Sequence, residues 1–147
     1  MNFVMDACSM IAYLRGETGS EVVESILTKE ENRCTAHAIN LCEVYYNFIL
    51  AKDEETAHGA IADLQSIGII TTEDMDSSFW QEAGKFIAKT RKDKNRISLA
   101  DCFAIALAMR ENATLVTSDH HEFDPILKNG TCPVPVYSMT LTLQCPP

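Results

Sequence analysis

No apolar run in the 147-residue chain approaches the roughly 20 residues that a bilayer-spanning helix requires, so no membrane association is expected. The N-terminus has no basic region ahead of an apolar stretch, and Asp stands at position 6, so no secretory signal is expected either. The six cysteines (Cys8, Cys34, Cys42, Cys102, Cys132, Cys145) form no C-x-x-C pair. Three of them lie in apolar segments as small buried side chains, which suits a reduced, cytoplasmic protein better than a disulfide framework. Also missing are G-x-x-x-x-G-K-[ST] and G-x-G-x-x-G, which removes the usual nucleotide-binding loops. A haloacid-dehalogenase-like phosphate-transfer site would need a second Asp two residues after Asp6, where Cys8 stands.

Positive charge is scarce. Twelve Lys and Arg face 21 Asp and Glu, giving a net charge of −9, which argues against a broad basic surface for nucleic acid. Six of those twelve nevertheless crowd into one stretch, Lys85, Lys89, Arg91, Lys92, Lys94 and Arg96. Two readings of it stay open. One is a solvated helix end whose cations complement the helix dipole, and the other is a phosphate contact, with Lys92, Lys94 and Arg96 as the candidate substrate-binding residues.

What the chain does have is a regular alternation of short apolar segments and longer helical ones, the pattern of an α/β domain with a parallel sheet. Strands are expected at Phe3–Met5, Arg33–Thr35, Gly68–Thr71, Thr114–Thr117 and Val134–Tyr137. Helices are expected from Cys8 to Arg15, Glu21 to Lys29, His37 to Lys52, Glu54 to Ser66, Met75 to Thr90 and Ser98 to Glu111. The last is apolar around almost its whole circumference, which marks a buried central helix. No repeat or long linker interrupts the chain, so residues 1–147 read as a single domain, with 139–147 as a loosely held tail.

Four carboxylates stand where an apolar pattern should not carry charge. Asp6 ends the first strand, Glu43 interrupts Ala38–Tyr46, Asp101 sits inside the apolar helix, and Asp119 closes the fourth strand. Burying a lone carboxylate costs several kcal/mol, so a shared divalent cation is the natural partner. Each residue also has a plainer reading. Asp6 could cap a helix, Asp101 could complete a Ser98-x-x-Asp101 capping box, Glu43 could face solvent, and Asp119 could belong to a turn. Asp6 and Asp119 both follow strands, so in a parallel sheet both belong at its carboxyl edge, where ligands bind. His120 and His121 lack a Cys or His partner at ligand spacing and are read as turn residues.

The segments Asp6–Leu14, Asn40–Val44, Ser98–Ala106 and Leu115–Phe123, taken in order, resemble a PIN domain of the small bacterial VapC-type toxin kind. The resemblance implies a three-layer α/β/α sandwich around a central, mostly parallel sheet, with the first and fourth strands adjacent. It implies a metal-dependent endoribonuclease, homodimeric and held inactive by a cognate antitoxin protein. Asp6, Glu43, Asp101 and Asp119 would be its catalytic, metal-binding carboxylates, with Asp124 as a weaker metal candidate. The metal would be one or two ions of Mg²⁺ or Mn²⁺, hard cations that prefer oxygen ligands. Asn40, one turn before Glu43, is a candidate to orient it. The competing reading is a PIN-like RNA- or protein-binding regulatory module with weak or no activity.

Overall fold

A computed structural model describes residues 1–139. Its strands are β1 (Asn2–Met5), β2 (Arg33–His37), β3 (Ile69–Thr72), β4 (Thr114–Thr117) and β5 (Val136–Ser138). Its helices are α1 (Ala7–Leu14), α2 (Ser20–Leu27), α3 (Ala38–Ala51), α4 (Glu54–Ser66), α5 (Ser77–Lys92), α6 (Leu99–Glu111) and α7 (His120–Lys128). The strands form one parallel sheet in the order β3-β2-β1-β4-β5.

Strand periodicity divides the core between the two faces. Phe3 and Met5 of β1 join Val116 of β4 on one side, with Met10, Val23, Ile26, Leu41, Val44 and Leu64 from α1 to α4. Val4 and Leu115 point the other way, into Phe79, Phe86, Phe123, Ile126 and the buried run Cys102–Ala108 from α5 to α7. The result is the expected α/β/α sandwich. Helix α6 lies against the middle of the sheet, and every residue from Asp101 to Ala108 is buried.

Chain direction sets the functional edge. From β1 the chain moves to β2 and β3 on one side, then returns to β4 and β5 on the other, so the order reverses between β1 and β4. Phe3 pairs with Thr114 and Met5 with Val116, which brings Asp6 and Asp119 to the same carboxyl edge.

Several expected boundaries move by one or two residues, for local reasons. Gly68 has φ +100 and turns the chain instead of opening β3. His37 extends β2 and caps α3, its Nδ1 accepting from the Ile39 N–H at 3.1 Å. Asp76 caps α5 through the Phe79 N–H, so that helix begins later than expected and runs to Lys92. Helix α7, capped by Asp119, occupies a segment read from sequence as a turn.

The tail expectation over 139–147 lies outside the described residues except at Met139. That residue is only 2% exposed and donates its N–H to the Thr117 carbonyl at 2.9 Å. A Cβ at Gly19 (φ +94) would stand 2.7 Å from the Met139 carbonyl oxygen, so this packing requires glycine there. The described cysteines are all free thiols, with Cys34 and Cys102 buried.

Leu107 is fully buried at the centre of α6. Leu107→Ala should cost about 2–5 kcal/mol through lost burial and the cavity left behind, read as a lower urea midpoint at unchanged slope. A change below about 0.5 kcal/mol would contradict the assignment of α6 as the core helix.

Candidate metal centre

Asp6 is the most enclosed of the carboxylates, at 0% exposure. It does cap α1, because Oδ1 accepts the Ser9 N–H at 2.7 Å. Its backbone N–H donates to the Val116 carbonyl, locking the end of β1 to β4. The cap employs only one oxygen. Oδ2 is buried and has no hydrogen-bond partner. Burial pushes the Asp6 pKa up to about 6, aided in small part by the charge of Asp119. The nearby Thr117 hydroxyl and the Ser9 donors oppose that rise, although Thr117 does not reach hydrogen-bond geometry at Oδ2.

Asp101 lies in the first turn of α6 and is 5% exposed. Ser98 caps this helix, its Oγ accepting the Asp101 N–H at 3.1 Å and donating to Asp101 Oδ2 at 2.7 Å. The reciprocal half of the expected capping box is not made by Asp101. The Ser98 N–H donates instead to Glu122 Oε2 of α7 at 2.7 Å. Asp101 is thus oriented by Ser98 while its carboxyl group stays turned toward the other acids. Burial first, then Glu122 and the charge of Asp6, raise its pKa well above the carboxylate range, against the pull of the Ser98 hydroxyl.

Asp119 caps α7, Oδ1 accepting the Glu122 N–H at 3.0 Å, while its own N–H donates to Thr117 Oγ1 at 2.9 Å. Oxygens of Asp101, Asp119 and Glu122 all lie within 4.8 Å of one another, the spacing of ligands around one ion. Glu122 was not a candidate in the sequence reading. Glu43, on α3, is partly exposed, and its pKa is raised by burial and then by the charges of Glu122 and Asp119; it is not among the acids whose oxygens cluster.

Cys8 lies in the field of the same acids. Burial and then the charges of Asp6, Asp101, Asp119 and Glu43 raise its thiol far above the usual range, so it remains protonated.

Other candidates are placed differently. Asn40 does not hold Glu43: its Nδ2 donates to the Ala100 carbonyl at 3.1 Å, joining α3 to the start of α6. Asp124 pairs with His120 Nδ1 at 3.3 Å and is not among the clustered acids. Lys92, Lys94 and Arg96 are exposed at the end of α5 and in its connection to α6.

A parallel α/β/α sandwich with acids converging at its strand switch point defines the class to which this fold and crevice belong. The chain belongs to the PIN domain family, whose model matches residues 3–126. Among solved structures it is similar to VapBC2 from Rickettsia felis bound to a promoter DNA fragment, with 17% identity, 94% of this chain and 98% of that chain covered, and a TM-score of 0.71. VapBC-1 from nontypeable Haemophilus influenzae aligns at 19% identity over 96% of this chain and 100% of that chain, with a TM-score of 0.69. VapC20 from Mycobacterium tuberculosis, described as a Sarcin-Ricin loop cleaving toxin, aligns at 13% identity over 85% and 95%, with a TM-score of 0.65. No curated protein matches the sequence.

The crevice fits a hard divalent cation, because its donors are all oxygen, one buried carboxylate oxygen lacks any partner, and the like charges need offsetting. Asp6 provides the test. With a folded pKa of about 6 against 3.8 when free, the folded state holds its proton more tightly, so its contribution is most favourable below pH 4. That contribution is lost as pH rises from about 4 to about 6, on the order of 3 kcal/mol at 1.36 kcal/mol per pKa unit. In EDTA, the stability of the protein relative to Asp6→Asn should therefore fall across that window. At neutral pH, Mn²⁺ should raise the Tm of the wild type strongly and that of Asp6→Asn weakly. Equal Mn²⁺ shifts in both proteins would remove Asp6 from the site.

Proposed function

We propose that the protein is a metal-dependent endoribonuclease, the toxin of a toxin–antitoxin pair. Two observations carry this reading: the unpartnered buried Oδ2 of Asp6, whose charge acts on Asp101, and the Asp101, Asp119 and Glu122 oxygens that lie within 4.8 Å of one another. A capped helix needs none of these surplus oxygens, whereas a cation-binding site does.

Asp6, Asp101, Asp119 and Glu122 would hold Mg²⁺ or Mn²⁺, one ion or two, with Glu43 completing the acidic wall. The ion, when bound, neutralises charge developing on the phosphodiester and lowers the pKa of an attacking water. The protein's own contribution is to fix the ligands in place. Ser98 orients Asp101, the Ser98 N–H anchors Glu122, and the Glu122 and Ser9 N–H groups hold one oxygen each of Asp119 and Asp6. Such preorganisation is usually reflected in losses of 10–100-fold when an orienting group is removed.

RNA is favoured as substrate by the family resemblance and by the similarity to VapC20, described as cleaving the Sarcin-Ricin loop. The similar VapBC structures support an antitoxin partner, and the family resemblance implies a homodimer acting in the cytoplasm. The exposed cations Lys92, Lys94 and Arg96 would offset the net charge of −9 where RNA approaches. The alternative, an inactive regulatory module, draws support from that net charge but leaves the surplus carboxylate oxygens without a role.

The test is cleavage of a mixed RNA pool by the purified chain in Mg²⁺, Mn²⁺ or EDTA, beside Asp101→Asn. Cutting that requires metal and falls by on the order of 100-fold or more in the variant is expected, corresponding to ~3 kcal/mol of transition-state stabilisation. Undiminished cutting by Asp101→Asn would sink the assignment. Metal binding without any cutting would favour the regulatory module.

A further inference from the structure

The connection from α5 to α6 forms a recess of about 470 Å³ lined by Arg91, Lys94, Asn95 and Arg96. Three of these four residues are cations, and among the described residues none of the three pairs with a carboxylate. Arg91 makes one long contact, to the Ile97 carbonyl at 3.5 Å. The fourth, Asn95, has a buried side-chain amide nitrogen with no acceptor. A recess with unpaired cations and an unused amide donor is built to receive an anion.

Its backbone is held in a costly shape. The Asn95 N–H donates to the Thr90 carbonyl at 2.8 Å and the Lys94 N–H to the Arg91 carbonyl at 3.1 Å, the paired bonds of a Schellman helix end. The residue between cap and Asn95 must then be left-handed, and Lys94 has φ +59. Glycine suits that position without strain. A lysine there is explained by what its side chain does.

Two features oppose anion binding, the negative end of the α5 dipole, roughly half a charge, and the exposed Asp93. Three cations outweigh both. The recess is also tied to the acids: Arg96 is two residues from Ser98, a reach of about 7 Å at most, and Ser98 holds both Asp101 and Glu122.

We propose that this recess binds a backbone phosphate of the RNA next to the phosphodiester that meets the acidic cluster, fixing the register of the strand. The inference rests on the ribonuclease reading and deepens it. It replaces Lys92, which does not line the recess, with Arg91 and Asn95. A phosphate contact carries no base information, so the recess adds affinity for any sequence and leaves discrimination to other surfaces.

The experiment measures anisotropy of a short fluorescein-labelled single-stranded RNA, and of DNA of the same sequence, with the full chain in EDTA across a range of salt. Lys94→Gly, which removes the cation and relieves the backbone, should keep or raise the Tm while weakening binding of both strands about tenfold. Its salt slope should shrink by about 0.7, the value for one lost contact on a single strand. Arg91→Ala should behave alike, whereas Lys52→Ala, at the end of α3, should bind as wild type. With metal present, the recess variants should raise KM about tenfold and leave kcat within about twofold. Unchanged binding by both recess variants, an equal loss in Lys52→Ala, or no binding by wild type would overturn the proposal. Failure of the wild type to cleave any RNA would sink the ribonuclease reading alone, because the binding comparison in EDTA still judges the recess.

Discussion

Everything distinctive about this molecule follows from forcing like charges together at a place with little water. Asp6 follows β1, Asp101 lies in the first turn of α6, Asp119 caps α7, Glu122 lies in the first turn of α7, and Glu43 belongs to α3. The fold tolerates Asp6, Asp101, Asp119 and Glu122 because each accepts from a donor that favours the charged form, from Ser9, Ser98 and the first turn of α7. Those donors are too few. Burial still drives Asp6 and Asp101 toward their protonated forms, and one oxygen of Asp6 is left with nothing. A bound cation would offset this imbalance.

The sheet exists in the service of that arrangement. Pairing of β1 with β4 puts two acids on one edge, and the buried α6 then delivers Asp101 from above. The alternation of short apolar segments with helices made this layout readable, since period-2 strands and the all-round apolar α6 leave few alternatives. Asp6, Glu43, Asp101 and Asp119 were legible for the same reason: each breaks an apolar pattern. Glu122 breaks none. It sits in a polar segment, and its signal was its position three residues after a capping Asp, where a Glu usually folds back to its own helix start. Here Thr117 already takes the Asp119 N–H, so the Glu122 carboxylate is free to reach across to Ser98. Asp124 illustrates the converse. Five residues past Asp119, it is rotated by about 140° around the helix axis and meets His120 instead.

Charge is distributed as unevenly as the site would require. The acids converge in one crevice, while half of the Lys and Arg residues fall between positions 85 and 96. That basic stretch leads through Ile97 into Ser98, the residue that orients Asp101. These cations lie one short connection from Ser98, where they would offset part of the net charge of −9 for an anionic partner. Sequence alone could count these cations but could not show that the backbone curls to form a recess, because that depends on a left-handed lysine and two specific helix-end bonds.

The role proposed for these carboxylates is to hold a divalent ion. Anomalous scattering from crystals of the protein grown with Mn²⁺ tests it without reference to activity. A manganese peak is expected within coordination distance, about 2–2.5 Å, of oxygens from Asp6, Asp101, Asp119 or Glu122. A crevice that stays free of manganese while ions bind elsewhere on the chain would contradict it.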